Sequence, residues 1–238
     1  MSQIPQLTGE AAQAVDHRGS HLQILASAGA GKTEVVSQRV ASLLAEGVQP
    51  EQIVAFTFTE RAAASLKDRI SERVLARQGE TARDGLSRLS VGTIHSYAFH
   101  LLQTHVPAYE VYDVLDEHRL PAFVSREAKG LDVKSLDPAG RGRLYASIGQ
   151  FLKDLDVVDN ELIAVEDLDE PLRSVVSRFY NRLDDYRLMT YGRQIANSVE
   201  QLENPDVLAQ VRGNMRHLIV DEYQDINPAQ ERLIELLT

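Results

Sequence analysis

Residues 26–33, with the sequence Ala-Ser-Ala-Gly-Ala-Gly-Lys-Thr, decide the fold class of this chain. They follow a short apolar run at residues 21–26 and precede residues 32–46, whose apolar side chains recur at helical spacing. A glycine-rich turn between a strand and a helix points backbone N–H groups inward, and the positive end of the helix dipole adds to them. The stretch therefore predicts a phosphate-binding loop.

Each residue type in this loop suits contact with a nucleotide and its metal ion. Lys32 is predicted to reach the β- and γ-phosphates as a mobile charge, and the Thr33 hydroxyl is predicted to bind Mg²⁺. The strict form of the pattern has glycine at its first position, where this chain has Ala26. The predicted nucleotide-binding residues of the loop are Ala28, Gly29, Ala30, Gly31, Lys32, Thr33 and Glu34.

A second polar pair follows a late apolar strand, residues 217–221. Parallel sheets bind their ligands at the carboxyl ends of the strands, so Asp221 is predicted to hold Mg²⁺. Glu222 is in position to polarise an attacking water as a general base. An acidic pair after a strand is common in proteins. It indicates a nucleotide site only in combination with Lys32 and Thr33.

The order of apolar segments predicts an α/β fold with a parallel sheet and helices on both faces. Strands are predicted at residues 21–26, 53–58, 89–92 and 217–221, and a helix at residues 60–78 whose apolar face includes Leu66 and Ile70. Residues 108–205 are mostly helical in pattern, which predicts an inserted all-α subdomain. Five aromatic side chains of that region are predicted to lie in its core: Tyr145, Phe151, Phe179, Tyr180 and Tyr186.

Composition and charge exclude several classes of protein. The 238 residues include no Cys, so disulfide scaffolds, thiolate nucleophiles and Cys-based zinc sites are excluded. A net charge of −10 argues against non-specific coating of nucleic acid. Neither a signal peptide nor a membrane-spanning run is visible, so a cytoplasmic protein is expected. Residues 154–170 hold eight carboxylates without Lys or Arg, which predicts a solvated face.

Several segments, in the correct order, resemble the superfamily 1 helicases of the UvrD/Rep type. Residues 26–33 resemble the first helicase motif, and residues 56–63 (Phe-Thr-Phe-Thr-Glu-Arg-Ala-Ala) resemble the next. Residues 91–97 (Val-Gly-Thr-Ile-His-Ser-Tyr) resemble the Thr-Phe-His-Ser motif, and residues 220–227 (Val-Asp-Glu-Tyr-Gln-Asp-Ile-Asn) resemble the Asp-Glu-x-Gln-Asp box. Gln230 lies where a Gln often follows that box.

The resemblance implies a motor that uses ATP and Mg²⁺ to translocate on single-stranded DNA, typically 3′ to 5′, and to unwind duplex DNA. It implies catalytic roles for Lys32, Glu222 and Gln224. Along the DNA path it implies Thr57, Phe58, Thr59, Arg61, Thr93 and His95. Phenylalanine can stack on a base without sequence preference, and hydroxyls can bind phosphates. Three further residues depart from the family pattern: Ala11 stands where the adenine-reading Gln is expected, Glu34 replaces a frequent Arg, and Glu60 replaces the usual Asn.

The resemblance also implies a domain division. Residues 1–109 and 215–238 correspond to the first RecA-like domain, and residues 110–214 to the helical 1B insertion with its return segment. The second RecA-like domain and its arginine finger have no counterpart in the 238 residues, so we expect them in a longer protein, and we expect this chain by itself to turn over nucleotide poorly.

Other functions remain open from the sequence. A nucleotide-gated DNA-binding or regulatory module would use the same loop without unwinding DNA. A small-molecule phosphotransferase would need an acceptor-binding lid and leaves the Thr-Ile-His-Ser and Asp-Glu-Tyr-Gln-Asp segments without a role. A plain α/β domain without activity is the remaining alternative.

Overall fold

The structure, a computed structural model, describes residues 4–27, 29–137, 139–141 and 143–238. The chain forms two compact units. The sheet unit comprises Met1–Ile94 and Arg212–Gln224, and the helical unit comprises His95–Val211 and Asp225–Thr238. The protein is mostly helical, with a small parallel sheet in the sheet unit.

The described residues form ten α-helices and five strands. The helices are α1 (Gly9–Asp16), α2 (Lys32–Ala45), α3 (Glu60–Gln78), α4 (Ile94–His105), α5 (Leu120–Leu131), α6 (Leu144–Asn160), α7 (Leu172–Tyr186), α8 (Tyr191–Leu202), α9 (Pro205–Asn214) and α10 (Pro228–Leu237). The strands are β1 (Ile53–Thr57), β2 (Ser90–Thr93), β3 (Asp113–Val114), β4 (Leu188–Met189) and β5 (His217–Val220).

The sheet of the sheet unit has the strand order β2-β1-β5, and both pairings are parallel. In the register, Thr57 at the end of β1 lies beside Thr93 at the end of β2, and Phe56 lies beside Val220 of β5. The carboxyl ends of the three strands therefore meet at one edge. The three strands predicted at these positions are confirmed to within a residue or two.

The core of the sheet unit forms where α2 and α3 bury their apolar faces with β1. Leu43 of α2, Ile53 of β1 and Ile70 of α3 are all essentially inaccessible to solvent. Helix α3 begins where predicted, because the Thr59 hydroxyl accepts a hydrogen bond from the N–H of Ala62 and caps the helix. The cap fixes the start of the helix directly behind the end of β1.

The strand predicted at residues 21–26 is wrong. No strand forms there in the described residues, and Leu22 and Leu25 are 41% and 85% exposed. An internal parallel strand is stable only when neighbours on both edges supply its hydrogen bonds and helices cover its faces. The described sheet ends at β2 on one edge and at β5 on the other, so this segment obtains neither.

The helical unit has its own apolar core, which contains a pair of phenylalanine rings in contact. The rings of Phe151 on α6 and Phe179 on α7 are buried, with centroids 5.2 Å apart in an edge-to-face arrangement. Their predicted core position is confirmed, whereas Tyr145 and Tyr186 are exposed, Tyr145 in the first turn of α6 and Tyr186 as the last residue of α7. This unit is not purely α-helical, since β3 and β4 pair in parallel.

The acidic stretch of residues 154–170 is not uniformly solvated. Asp159 on α6 is 4% exposed, so the prediction of a solvated face fails at this residue. The physical reason is helical periodicity: Asp159 follows the buried residues Phe151 and Leu155 at intervals of four, and thus lies on the same inward face.

Candidate functional site

The predicted phosphate loop leads directly into α2. The N–H of Ala30 donates to the Ser27 carbonyl at 3.1 Å, and Gly29 and Gly31 have φ angles of 77° and 89°. A Cβ at either glycine would meet no atom within 4 Å, so the left-handed backbone, rather than lack of space, requires glycine there. Ala28, which was predicted to contact nucleotide, lies outside the described residues.

Three predicted catalytic residues lie together at the carboxyl end of the sheet. The Lys32 Nζ atom is 3.5 Å from Oε2 of Glu222, and Gln224 Nε2 donates a hydrogen bond of 2.8 Å to the same oxygen. Both partners hold the pKa of Glu222 below its usual value, with the Gln224 hydrogen bond the larger cause. The Lys32 and Glu222 side chains are 29% and 41% exposed, so a ligand can reach this pair.

The backbone at Glu222 has a conformation that favours glycine. Its φ is 51°, in the left-handed region, where the backbone of any residue other than glycine is strained. The N–H of Glu222 donates to Oδ1 of Asp221 at 3.1 Å, and Gln224 Nε2 donates to the Glu222 carboxylate. Strain that neighbouring groups hold in place is common at functional sites, where it fixes the direction of a side chain.

Asp221 occupies the tip of β5. Its N–H donates to the Phe56 carbonyl at 2.9 Å and continues the β1–β5 pairing by one residue. Burial and the neighbouring charge of Glu222 raise the pKa of the Asp221 carboxyl, and the Lys32 charge partly offsets them. A divalent cation beside this carboxylate would remove that cost.

The oxygen donors suit a magnesium ion that is shared with a nucleotide. Mg²⁺ in phosphate sites uses one or two protein oxygens and completes its octahedron with phosphate and water. The Thr33 hydroxyl at the start of α2 and the Asp221 carboxylate at the end of β5 have the chemistry that such a role needs. Among the described residues, no cluster of three or more His, Cys, Asp or Glu side chains could hold a metal ion.

The Glu34 side chain binds Arg73 of α3 and Gln38 of α2. Both of its carboxylate oxygens accept hydrogen bonds of 2.8 Å from the Arg73 guanidinium on α3, and Gln38 donates another at 2.7 Å. The side chains of Glu34 and Arg73 are only 11% and 10% exposed. Glu34 therefore joins α2 to α3, and its nucleotide contact stays a prediction that this geometry does not favour.

Residues predicted along the DNA path line the ends of β1 and β2. Thr57 is buried and donates from its hydroxyl to the Thr59 carbonyl at 3.1 Å, while Phe58 is 47% exposed. Arg61 is exposed in the first turn of α3. The Thr93 hydroxyl donates to Oε1 of Glu60 at 3.0 Å, a contact that the sequence did not reveal.

His95, the remaining predicted DNA contact, belongs to the helical unit. Its ring centroid lies 5.7 Å from that of Tyr191, and burial lowers the pKa of the imidazole. A neutral ring packed on an aromatic neighbour suits a structural position as well as a nucleic-acid contact.

In the part of the chain that the structure describes, no helix has both the length and the apolar character needed to cross a membrane.

The loop, the charged pair and the strand-end carboxylates form an arrangement typical of P-loop nucleotide-binding proteins, and comparisons with known proteins specify the family. Residues 7–238 match the model of the UvrD/REP helicase N-terminal domain. The chain therefore belongs to the UvrD/REP helicase family, as the ordered motifs predicted. That membership implies a P-loop fold and the use of ATP.

Relatives across several bacteria match nearly the whole chain. It is 36% identical to the ATP-dependent DNA helicase UvrD1 of Mycobacterium tuberculosis over 94% of its length, which is 29% of that relative. It is 30% identical to DNA helicase II of Haemophilus influenzae, covering 92% of this chain and 30% of that protein. For the ATP-dependent DNA helicase PcrA of Staphylococcus aureus the identity is 27%, with 96% and 31% covered. The chain thus spans less than a third of the length of these relatives.

Proposed function

We propose that this chain is the ATP-binding portion, and part of the DNA-binding portion, of an ATP-dependent DNA helicase that moves 3′ to 5′ on single-stranded DNA and unwinds duplex DNA. The observation that supports this most directly is the convergence of Lys32, Glu222 and Gln224 where the phosphate loop faces the end of β5. Membership of the UvrD/REP helicase family agrees with it.

In this proposal the loop binds the phosphates of ATP through its backbone N–H groups and Lys32. When bound, Mg²⁺ would neutralise charge that develops on the β- and γ-phosphates during transfer. The Thr33 hydroxyl and the Asp221 carboxylate would hold it. Glu222 accepts the proton of the attacking water, and Gln224 fixes the direction of the Glu222 carboxylate through its hydrogen bond.

The contact between Lys32 and Glu222 gives the site two arrangements. Without nucleotide, the Gln224 hydrogen bond and, after it, the Lys32 charge hold the pKa of Glu222 below its usual value, which makes the carboxylate a weaker base. The γ-phosphate competes for the same ammonium, so nucleotide binding would draw Lys32 away from Glu222. The pKa of Glu222 would then rise, and its strength as a base would increase when substrate is in place.

DNA binding is assigned to the ends of β1 and β2. Phe58 stacks on a base, and the residues near the sugar-phosphate backbone of the DNA are Thr57, Thr59, Arg61 and Thr93. An exposed aromatic ring beside hydroxyls and a cation is the usual composition of a surface that binds single strands without sequence preference. His95 follows Thr93 by two residues in the chain and is assigned to the same path.

We assign residues 1–109 and 215–238 to a RecA-like domain and residues 110–214 to a helical 1B insertion. The division of the chain into a sheet unit and a helical unit supports an inserted region, although α4 and α10 fall in the helical unit. The partner that completes the hydrolytic site is a second RecA-like domain, which would supply a cation to the γ-phosphate. A cytoplasmic location accords with a role on DNA.

The test is nucleotide binding and hydrolysis by the 238-residue chain, with and without single-stranded oligothymidine. Lys32→Met should weaken Mg-ATP binding at least about tenfold, because a charge-assisted contact to phosphate is lost. Glu222→Gln should keep binding and reduce DNA-stimulated turnover about a hundredfold or more. Lys153→Met, which removes an exposed lysine of α6, is the matched control for the loss of one charge.

Each outcome separates the candidate functions. Turnover that DNA stimulates and Glu222→Gln removes supports the helicase assignment. Binding that depends on Lys32 without any turnover, even with the second domain supplied, would point to a nucleotide-gated DNA-binding module instead. If Lys32→Met and Lys153→Met bind Mg-ATP equally, the proposed site is wrong.

A further inference from the structure

The hydroxyl of Thr93, predicted to lie on the DNA path, donates a hydrogen bond to a carboxylate. Thr93 ends β2 next to Thr57 in the parallel register, and its Oγ1 is 3.0 Å from Oε1 of Glu60. Glu60 is the first residue of α3 and is exposed, directly after the exposed ring of Phe58 and the capping Thr59. A negative side chain thus stands within the strip that the proposed function assigns to a polyanion.

A hydroxyl has a single hydrogen to donate. While Thr93 donates to Glu60, it cannot donate the same hydrogen to a phosphate oxygen. The carboxylate resembles a phosphate in charge and in acceptor oxygens, so the two compete for one donor. Glu60 also repels any phosphate that approaches the ends of β1 and β2, since like charges a few ångströms apart oppose each other even in water.

We propose that Glu60 is an affinity-setting residue that acts as an internal substitute for a DNA phosphate: it occupies the Thr93 hydroxyl in the free protein and must be displaced when single-stranded DNA binds. The inference rests on the proposed function, because it needs DNA on this strip. Glu60 thereby weakens DNA binding at one point of the path, which shortens the time that the protein remains on one stretch of DNA.

The experiment measures the affinity of the 238-residue chain for fluorescein-labelled oligothymidine by anisotropy. Glu60→Gln removes the charge and keeps an acceptor, whereas Glu60→Ala removes both. Glu60→Gln should tighten binding about fivefold at low salt, the size expected for one exposed like-charge repulsion, and Glu60→Ala should tighten it further. Both gains should shrink between about 0.05 M and about 0.5 M salt, because salt screens the repulsion.

Two control variants separate a local effect from a general one. Asp68→Asn makes the same change of net charge on the exposed face of the same helix and should leave the affinity nearly unchanged. Thr93→Val removes the donor for which carboxylate and phosphate compete. In the Thr93→Val background, the extra gain of Glu60→Ala over Glu60→Gln should disappear.

Failure of the inference can be distinguished from failure of the proposed function. If Phe58→Ala weakens DNA binding while both Glu60 variants bind like Asp68→Asn, the strip binds DNA and Glu60 does not set its affinity. An extra gain of Glu60→Ala that persists with Thr93→Val would overturn the competition for the hydroxyl. If Phe58→Ala and the Glu60 variants all leave binding unchanged, the DNA path itself is wrong, and the inference fails with it.

Discussion

Two buried carboxylates, one in each unit, have pKa values that are shifted in opposite directions. Glu34 in the sheet unit is 9% exposed, and Asp159 in the helical unit is 4% exposed. The pKa of Glu34 is lowered, whereas the pKa of Asp159 is raised to about 6. Removal from water raises the pKa of any carboxylate, so the difference must come from the groups around each one.

The geometry of the cationic partner explains this difference. Arg73 meets Glu34 with two parallel hydrogen bonds of 2.8 Å, which is the strongest arrangement for a carboxylate and a guanidinium. Those hydrogen bonds outweigh the desolvation of Glu34.

Asp159 has a less favourable set of neighbours. Arg193 approaches no closer than 3.9 Å, because its guanidinium lies over the ring of Tyr180 at 4.3 Å. The Tyr180 hydroxyl donates at 2.7 Å, and Asp156 adds a repulsive charge. A Cβ at Gly192 would approach the Asp159 side chain to 2.6 Å, so only glycine fits there. Desolvation therefore dominates the pKa of Asp159.

The largest effect is expected when the well-paired carboxylate loses its partner. Arg73→Met leaves the Glu34 charge buried and unpaired, and should lower the free energy of unfolding of the sheet unit by about 3 kcal/mol. Urea denaturation measures this loss. Arg77→Met, at an exposed position one turn further along α3, should change stability by less than about 0.5 kcal/mol.

A double variant distinguishes the loss of the whole ion pair from the loss of Arg73 alone. Glu34→Met combined with Arg73→Met replaces the ion pair with two apolar side chains and should regain most of the lost stability. If Arg73→Met is no more destabilising than Arg77→Met, the ion pair does not stabilise the protein as its geometry suggests.

The second effect is a dependence of stability on pH. The folded state binds a proton at Asp159 up to about pH 6, whereas an ordinary aspartate releases it near 3.8, so the contribution of this group falls as pH rises through that window. Two pKa units correspond to about 3 kcal/mol. Relative to the native protein, Asp159→Asn should therefore gain about that much between pH 4 and pH 7.

The contribution of Glu34 to stability changes with pH in the opposite direction, so the two carboxylates can be compared within one protein. Its lowered pKa gives stability that is present above its usual value of 4.5 and lost as pH falls below it. Asp167→Asn, the same substitution at an exposed carboxylate of the same acidic stretch, is the control. A constant difference between Asp159→Asn and the native protein across that range would contradict the assignment.

The sequence predicted what depends on local pattern, namely the bounds of α3 and the position of the late strand β5. It could not predict contacts between distant segments. Glu34 was placed at the nucleotide because of its neighbours in the chain, while Arg73, its partner in space, is 39 residues away. A strand at residues 21–26 was wrong, because a short apolar run does not reveal whether a neighbouring strand will pair with it. Asp159 was predictable from its spacing with Leu155, but the run of acidic residues concealed it.

The smallest effect on stability is expected at the third pair, Lys32 and Glu222, and it completes the comparison. The two side chains are partly exposed and 3.5 Å apart, so solvent screens their attraction. Lys32→Met should change the free energy of unfolding by less than about 1 kcal/mol. The same substitution should weaken Mg-ATP binding at least about tenfold. Lys32 and Glu34 are separated by a single residue at the start of α2, yet Glu34 joins α2 to α3 through Arg73, whereas we propose that Lys32 exchanges Glu222 for a phosphate when nucleotide binds. If Lys32→Met destabilised the fold as strongly as Arg73→Met, the Lys32–Glu222 pair would be structural. The proposal that Lys32 leaves Glu222 to bind the nucleotide would then be wrong.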